Sequence, residues 1–372
     1  MKKTLLILVV LLGTVLSAVH GKDHAYGPWN IDLSAALNLE SNSNVFYEES
    51  GTERDTVWHI IPKARFEYEQ LQNVLFVGEL ELNSHRYSQN SDASVTETSL
   101  FLEARPVHRG GYLVFSESYQ LRQNYSPTDG LLKTAINELK LGGGFGGNHL
   151  DINAAATLTT GSYSPSSFQG LNYSRTAFDA EVKYLHNSLY WLGGLGFGRL
   201  SYSDDLLNDG RFWGLMGGVG KEFSPKTTLE FRTKYFSQTH EGSDGDSFSG
   251  LLFSLDAKHI TSSGKTSMNI ILEKEILPSA VVGADYVQLT AIIFRVSSEF
   301  NTQFSGELEL GMDFDTIGSR NDRVFSLGVS GAFIPTKGMT INFGISNTSR
   351  ASEISEYEFR QFLIFVGVSA VY

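Results

Sequence analysis

Charged side chains occupy alternate positions in several stretches of this chain, with apolar residues between them. Lys63 and Arg65 alternate in one stretch, and Glu79 and Glu81 alternate in the next. A tight turn centred on Gln72 would place Arg65 opposite Glu79 and Lys63 opposite Glu81, and opposite charges at that distance pair across strands. Such a wall can hold charged or hydroxyl-rich solutes weakly, or its paired charges can serve to brace neighbouring strands. The sequence leaves both interpretations open.

The same alternation recurs further along the chain. Apolar side chains alternate with Glu230, Arg232 and Lys234, and later with Glu307 and Glu309. If these segments cross a membrane, Arg or Lys facing lipid would cost ~2–4 kcal/mol each at mid-membrane, so the charged face should line a watery interior. The predicted lumen-lining residues of a solute path are Lys63, Arg65, Glu79, Glu81, Glu230, Arg232, Lys234, Glu307 and Glu309.

Glycines cluster at alternate positions in the middle of the chain. Glycine in a strand interior weakens the strand and often marks a bend or the close approach of another group. These glycines would either curve the sheet or clear a path for a bulky polymer, and both interpretations remain open. The predicted small-residue wall consists of Gly142, Gly144, Gly194, Gly196, Gly198, Gly218 and Gly220.

No set of residues predicts catalysis or metal binding. The chain has nine histidines and no cysteine, which excludes disulfides and thiolate metal sites. We expect His59, His85, His240 and His259 near outer strand ends, and Ser84 and His85 should point to opposite faces because they are adjacent. An outer-membrane hydrolase would need a Ser-His or His-Asp constellation. We therefore predict no enzymatic activity, no cofactor and no metal.

Eighteen short segments of alternating polarity must position these side chains. Only helices and closed barrels satisfy their backbone groups in lipid, and no segment after the N-terminal leader is a long apolar run. The pattern therefore predicts an all-β fold, a transmembrane antiparallel up-and-down barrel of about 18 strands. The predicted strands are 29–40, 57–70, 74–88, 95–107, 111–125, 131–145, 149–163, 173–186, 189–203, 209–223, 227–240, 247–261, 266–278, 285–299, 304–317, 322–335, 339–351 and 358–372.

The connections between these segments alternate in length. Short turns rich in Gly, Pro, Asn and Ser, such as 187–188, alternate with longer polar loops, such as 41–56. Outer-membrane barrels have short periplasmic turns and longer outer loops, so both termini are predicted to be periplasmic. Aromatic residues near the short turns are expected to lie at the periplasmic interface of the outer membrane. They include Tyr112, Tyr190 and Trp191.

The N-terminus has the pattern of a secretory signal. Lys2 and Lys3 precede the apolar run Leu5–Leu12, which is shorter than the ~20 residues of a membrane span. We predict cleavage of a signal peptide over 1–21 and a single barrel domain over 22–372. Loss of the two lysines would change the net charge from -12 to -14. This acidic charge argues against a nucleic-acid partner, because nucleic acids bind basic surfaces.

The last segment ends the chain on an aromatic residue. Counting back from Tyr372, the apolar residues Val368, Val366, Ile364 and Phe362 share its face. This arrangement resembles the recognition signal of the outer-membrane assembly machinery. We therefore expect the chain in the outer membrane of a Gram-negative cell, with that machinery, membrane lipid and lipopolysaccharide as partners.

One short segment resembles a known family. The segment Ser41–Phe46, followed by Asp55 and Pro62, resembles the start of a family of outer-membrane β-barrel porins found with exopolysaccharide and capsule export systems. In that family the first strand ends in an Asn-Val-Phe-like element, and the second strand contains proline. The resemblance implies a polysaccharide pore that works with periplasmic polysaccharide export proteins. It brings no catalytic residue.

The predicted function is an outer-membrane pore, and the resemblance favours a conduit for exopolysaccharide secretion. The alternative is a general diffusion porin for small hydrophilic solutes. An outer-membrane enzyme would need a water-activating triad in the lumen, and a structural adhesin would need large extracellular loops. The sequence shows neither feature.

Overall fold

The computed structural model of the protein describes eleven stretches of the chain. These are residues 25–26, 29–45, 53–71, 74–108, 110–126, 130–164, 172–203, 209–241, 247–278, 286–317 and 320–371. The predicted signal segment 1–21, Phe46 and the terminal Tyr372 lie outside the described residues, so signal cleavage and the domain limits stay predictions. No helix in the described part of the chain is long and apolar enough to cross a membrane.

Eighteen long strands follow one another along the chain. They are β1 (Trp29–Asn42), β2 (Asp55–Leu71), β3 (Val74–Tyr87), β4 (Val95–His108), β5 (Gly111–Ser126), β6 (Gly130–Gly146), β7 (Leu150–Ser164), β8 (Tyr173–His186), β9 (Leu189–Tyr202), β10 (Gly210–Ser224), β11 (Thr227–His240), β12 (Phe248–Ile260), β13 (Thr266–Pro278), β14 (Tyr286–Glu299), β15 (Phe304–Ile317), β16 (Arg320–Thr336), β17 (Met339–Ser352) and β18 (Phe359–Val371). The predicted strands are confirmed, and every end lies within two residues of its prediction.

The strands form one closed antiparallel barrel. Each strand pairs with the next along the chain, and β18 closes the barrel by pairing with β1, with Leu363 opposite Asn42 and Val371 opposite Ser34. A short strand, Ala25–Tyr26, adds to the start of β1. Closure leaves no long strand with an unpaired edge, which is the condition for a sheet to cross lipid. The predicted all-β up-and-down barrel is confirmed.

The outer face of the barrel carries an apolar belt. Large apolar side chains at alternate positions stay exposed, for example Leu113 at 61%, Leu215 at 58% and Leu251 at 63%. The residues between them point inward, where they line an internal cavity. An exposed apolar band of this extent on a closed barrel is the surface that contacts lipid. In these strands the apolar side chains point outward and the charged side chains point inward, and the role of the inward residues as a solute path stays a prediction.

Glu117 departs from this alternation. It shares the outward parity of Leu113 and Phe115 on β5, and it lies opposite Leu102 on β4 and Leu139 on β6. Both leucines are exposed on the outer face. Among the described strand residues, Glu117 has the one carboxylate with outward parity. The acidic group therefore has apolar, lipid-facing neighbours on both sides. Neither neighbour can form an ion pair or a hydrogen bond with it.

Replacement of Glu117 by leucine is expected to stabilise the barrel. A carboxylate that faces lipid is unfavourable, although less so than Arg or Lys. We therefore expect the free energy of unfolding in lipid vesicles to rise by about 1–2 kcal/mol when leucine replaces it. Urea unfolding followed by tryptophan fluorescence measures the change. The control is Glu138→Leu, because Glu138 points into the lumen and its loss should give no such gain. Equal or lower stability of the Glu117→Leu barrel would contradict a lipid-facing position.

Candidate solute path in the barrel lumen

The inward-facing side chains enclose open space. A cavity of about 1210 Å³ lies inside the barrel against β4–β13, and a second of about 750 Å³ lies near the short turns, against β12–β18 and β1. Charged side chains that point inward stay accessible, with 46% of Arg65 and 43% of Arg295 exposed. A barrel of 16–18 strands is wide enough to leave an aqueous channel. The interior therefore has room for water beside charged side chains.

The charged wall on β2 and β3 has the predicted register. Lys63 lies opposite Glu81 and Arg65 lies opposite Glu79. The ion pairs, however, run diagonally, because Lys63 Nζ is 2.7 Å from Glu79 Oε1 and 3.6 Å from Glu81 Oε2. Arg65 instead lies 3.7 Å from Glu67 on its own strand. One lysine is thus shared between two glutamates, and the wall keeps an excess of negative charge because two basic groups face three carboxylates.

A second network joins three strands around Arg232 on β11. Its guanidinium contacts Glu230 on the same strand, and its Nη1 donates to Glu181 Oε2 on β8 at 2.8 Å. The Tyr190 hydroxyl on β9 donates to Glu230 Oε2 at 2.6 Å, and Lys183 Nζ lies 3.8 Å above the Tyr190 ring. Opposite charges and a charge-assisted hydrogen bond hold these side chains against the wall.

The remaining predicted lumen residues form two smaller contacts. Arg295 on β14 donates from Nε to Glu309 Oε2 at 2.8 Å and lies 3.8 Å from Glu307. Ser297 donates to Glu307 Oε2 at 2.7 Å. Lys234 lines the larger cavity and lies 5.3 Å above the Phe236 ring. The predicted charged residues are thus spread around the barrel wall and do not converge on one point.

Two glycines of the small-residue wall are crossed by long side chains from neighbouring strands. Tyr190 spans Gly220, so a Cβ added at Gly220 would lie 2.0 Å from the Tyr190 ring. In the same way the Tyr112 hydroxyl reaches over Gly144 to donate to Asn153 Oδ1 at 2.6 Å. Glycine is required at these positions because the crossing side chain occupies the space of a Cβ.

The other glycines of this wall are also closely surrounded, at Gly142 and Gly218 mainly by backbone atoms of the neighbouring strand. Three of the seven, Gly142, Gly194 and Gly196, line the larger cavity. In the described part of the chain, glycines with positive φ occur at Gly110, Gly264 and Gly338, all next to short turns. The small-residue wall is therefore not built from left-handed bends. The atoms that a Cβ would meet belong to Ala155 at Gly142, Met216 at Gly194, Asp179 at Gly196, Phe212 at Gly198 and Leu192 at Gly218, among others.

A strip of carboxylates on β13 and β15 has no ion-pair partner among the described residues. Glu273 and Asp313 flank Ala291 of β14, and Glu275 and Asp315 flank Leu289 in the same way. None of these carboxylates lies within 4 Å of a basic group in the described chain. The wall formed by β13–β15 therefore carries four carboxylates without a direct ion pair within the described part of the barrel.

Tyr112 and Tyr190 were expected at the membrane interface, and that expectation is wrong. Both side chains point into the lumen, where they bond to Asn153 and Glu230. Trp191 is 54% exposed and does face outward. Since Tyr190 and Trp191 are adjacent on one strand, only one of them could face lipid. The alternation of faces along the strand could have assigned Tyr190 to the lumen from the sequence. The same alternation assigns Glu181 to the lumen.

The residues that carry the family resemblance anchor the outer loops. Asn44 is fully buried and donates from Nδ2 to the Arg360 carbonyl at 3.2 Å, and Gln361 donates to the Asn44 carbonyl at 3.1 Å. The Asp55 carboxylate accepts backbone N–H groups from residues 88–90. Pro62 faces outward on β2, where its missing N–H is compatible with a gap in the ladder to β3. These residues stabilise the seam between β18 and β1 and the loop after β3.

A second acidic group holds another outer loop. Asp209, which precedes β10, accepts the Tyr202 N–H at 2.8 Å and lies 3.1 Å from Arg199 Nη2. Burial works to raise the pKa of the Asp209 carboxyl, but the Tyr202 N–H and Arg199 outweigh it and lower that pKa below its ordinary value. The group therefore stays ionised and keeps the ends of β9 and β10 together.

Comparison with known proteins identifies the fold. No protein-family model matches the chain, and no curated protein sequence matches it. The siderophore receptor PirA from Pseudomonas aeruginosa is similar in structure, with a TM-score of 0.51, 9% identity, and coverage of 91% of this chain and 80% of PirA. The FrpB iron transporter from Neisseria meningitidis (F3-3 variant) has a TM-score of 0.55 and 10% identity over 86% of this chain and 62% of its own. The outer membrane protein OpdK from Pseudomonas aeruginosa has a TM-score of 0.53 and 11% identity over 92% of this chain and 99% of its own.

At these identities the similarity is one of fold. The chain has the architecture of the large outer-membrane β-barrels, and its apolar outer belt is that of an integral membrane protein. The predicted location in the outer membrane agrees with this architecture. The association with exopolysaccharide export and the absence of enzymatic activity remain predictions.

Proposed function

We propose that the protein is a passive outer-membrane channel for small hydrophilic solutes, with a preference for cations. The observation that carries the proposal is the open, charged lumen, with a cavity of about 1210 Å³ and inward-facing charged side chains that stay accessible. A packed barrel interior would bury such groups. Barrels that are named as transporters and outer-membrane proteins share this architecture, which supports the proposal.

The preference for cations follows from the distribution of charge. Carboxylates without an ion pair line β13–β15, and Lys63 is shared between two glutamates on β3. A negatively charged wall raises the local concentration of cations in a channel and lowers that of anions. Screening by salt weakens this effect, because the Debye length is about 10 Å at 0.1 M ionic strength.

Ion selectivity in planar bilayers tests the proposal. The parent should show stepwise conductance and a reversal potential that favours cations in a salt gradient. Glu273→Gln with Asp313→Asn should lower the cation preference, because it neutralises one row of the strip. Glu117→Gln is the control, since it removes a carboxylate that faces lipid. A folded barrel that never conducts would refute the channel, and anion preference of the parent would refute the charge argument.

A polysaccharide conduit is the second candidate, and the resemblance of Ser41–Phe46 favours it. The described residues of that segment, with Asp55, hold the seam and a loop and do not line the cavity. Swelling of liposomes in sugars of increasing size separates the two candidates. A small-solute channel should exclude long oligosaccharides, whereas a conduit should admit them. Loss of surface polysaccharide on gene deletion would favour the conduit.

A further inference from the structure

Two histidines face each other across β2 and β3 near the outer mouth of the lumen. His59 lies directly opposite His85, and the ring centroids are 4.7 Å apart at an interplanar angle of 74°. Glu40 on β1 and Glu97 on β4 flank the pair, with Oε2 atoms 3.0 Å and 3.3 Å from Nε2 of His59 and of His85. Four inward-facing side chains from four adjacent strands thus form one row, which we call the imidazole row.

The hydrogen bonds of the row determine which nitrogen atoms carry lone pairs. An ionised carboxylate accepts hydrogen bonds and cannot donate them, so Nε2 of each neutral ring must carry the proton. The lone pair of His59 and that of His85 are then both on Nδ1. In metal proteins a ligating histidine almost always donates its other N–H to a carboxylate or carbonyl, which orients the ring and makes it a better ligand. Each histidine of the row already has that arrangement.

We propose that His59 and His85 bind a divalent transition-metal ion such as Cu²⁺, Ni²⁺ or Zn²⁺, with Glu40 and Glu97 orienting the two imidazoles. Imidazole nitrogen is a preferred ligand of these ions. Among the described residues, no three imidazole or carboxylate groups already surround one point. The two imidazole nitrogens are therefore the protein ligands of the proposed site, and water completes the coordination.

The surroundings of the row favour a defined site over a chance pair. The side chains of His59 and His85 are 16% and 20% exposed, so an ion can enter from the lumen while the rings stay supported. Asp55 lies four residues before His59 on β2, and its carboxylate holds the turn that follows β3. The strand ends that carry both rings are therefore tied together, which preserves their spacing.

Direct Cu²⁺ binding tests the proposal without any need for conduction. The barrel is purified in detergent with an affinity tag other than polyhistidine, then titrated with Cu²⁺ by equilibrium dialysis and examined by electron paramagnetic resonance. We expect a stoichiometric complex whose spectrum shows coupling to two imidazole nitrogens. His59→Gln and His85→Gln should each abolish that two-nitrogen signature. Glu40→Gln should weaken binding by about 10–100-fold, as loss of an orienting partner does.

The matched control is His259→Gln. We expected His259 near an outer strand end, but it lies beside the short turn after β12, where Nδ1 is 2.8 Å from Thr227 Oγ1. This variant should bind Cu²⁺ as the parent does, and a heat-modifiable gel shift shows that every variant is folded. The proposal is wrong if the parent binds no Cu²⁺, or if the folded His59→Gln/His85→Gln double variant keeps the two-nitrogen complex. Because binding is measured directly, a barrel that binds Cu²⁺ and fails to conduct would refute only the channel function.

Discussion

Replacement of Gly220 by alanine is expected to destabilise the barrel by about 3 kcal/mol, the sum of overpacking and a lost charge-assisted hydrogen bond. An added Cβ would lie 2.0 Å from the Tyr190 ring, and Tyr190 is 7% exposed. The ring must therefore leave the wall, and its hydroxyl then loses Glu230. The midpoint of urea unfolding in lipid vesicles and the temperature of the heat-modifiable gel shift measure the effect.

Three further variants separate the causes. Gly217→Ala on the same strand is the control, because a Cβ there would meet nothing within 4 Å, and it should leave stability unchanged. Tyr190→Phe keeps the ring over Gly220 and removes only the bond to Glu230, so it should cost less than Gly220→Ala. Tyr190→Ala should make Gly220→Ala nearly neutral, since residues in contact couple by about 0.5–3 kcal/mol. Full stability of Gly220→Ala alone would contradict the crossing arrangement.

Replacement of Asp322 by alanine is expected to cost about 3 kcal/mol and to loosen the outer mouth, because removal of one partner leaves buried charge without compensation. Its carboxylate is fully buried. It contacts Arg320 at 3.1 Å, Arg350 and the Ser352 hydroxyl. Arg320 is 9% exposed and lies 3.8 Å from the Tyr357 ring. The unfolding midpoint and cleavage of the loop 353–358 by added protease report the change.

The barrel contains a matched control for burial. Glu241 also bridges two arginines, at 2.9 Å to Arg211 and 4.0 Å to Arg199, but all three side chains are at least half exposed. Exposed ion pairs contribute about 0–1 kcal/mol, so Glu241→Ala should have little effect. Similar losses in Asp322→Ala and Glu241→Ala would show that burial does not determine the cost. A protease-resistant loop in Asp322→Ala would contradict its role at the mouth.

The strands could be predicted from the sequence because their signal is local. A strand that faces lipid on one side and water on the other must alternate with a period of two, and turn residues mark its ends. For this reason all eighteen strands, and the register that places Lys63 opposite Glu81, were evident without a structure. The same register places His59 opposite His85, so that pair was also within reach of the sequence. Glu117 on β5 and Lys274 on β13 ran against the alternation in mid-strand, since both share the outward parity of their apolar neighbours.

The contacts across the lumen depend on the tertiary structure. Arg232 reaches Glu181 across β10 and β9, and Tyr190 reaches Glu230 across Gly220. Such bonds join residues 51 and 40 positions apart in the chain. They form only because the curved wall brings strands two or three places apart within the reach of one side chain. The sequence by itself therefore determined the number of strands and the face of nearly every residue. Only the closed barrel decided which charges pair and which glycines are crossed by a side chain. It also decided that the segment from Ser41 stabilises the seam between β18 and β1. The reason is that the reach of a side chain depends on the curvature of the wall and not on the periodicity of the sequence.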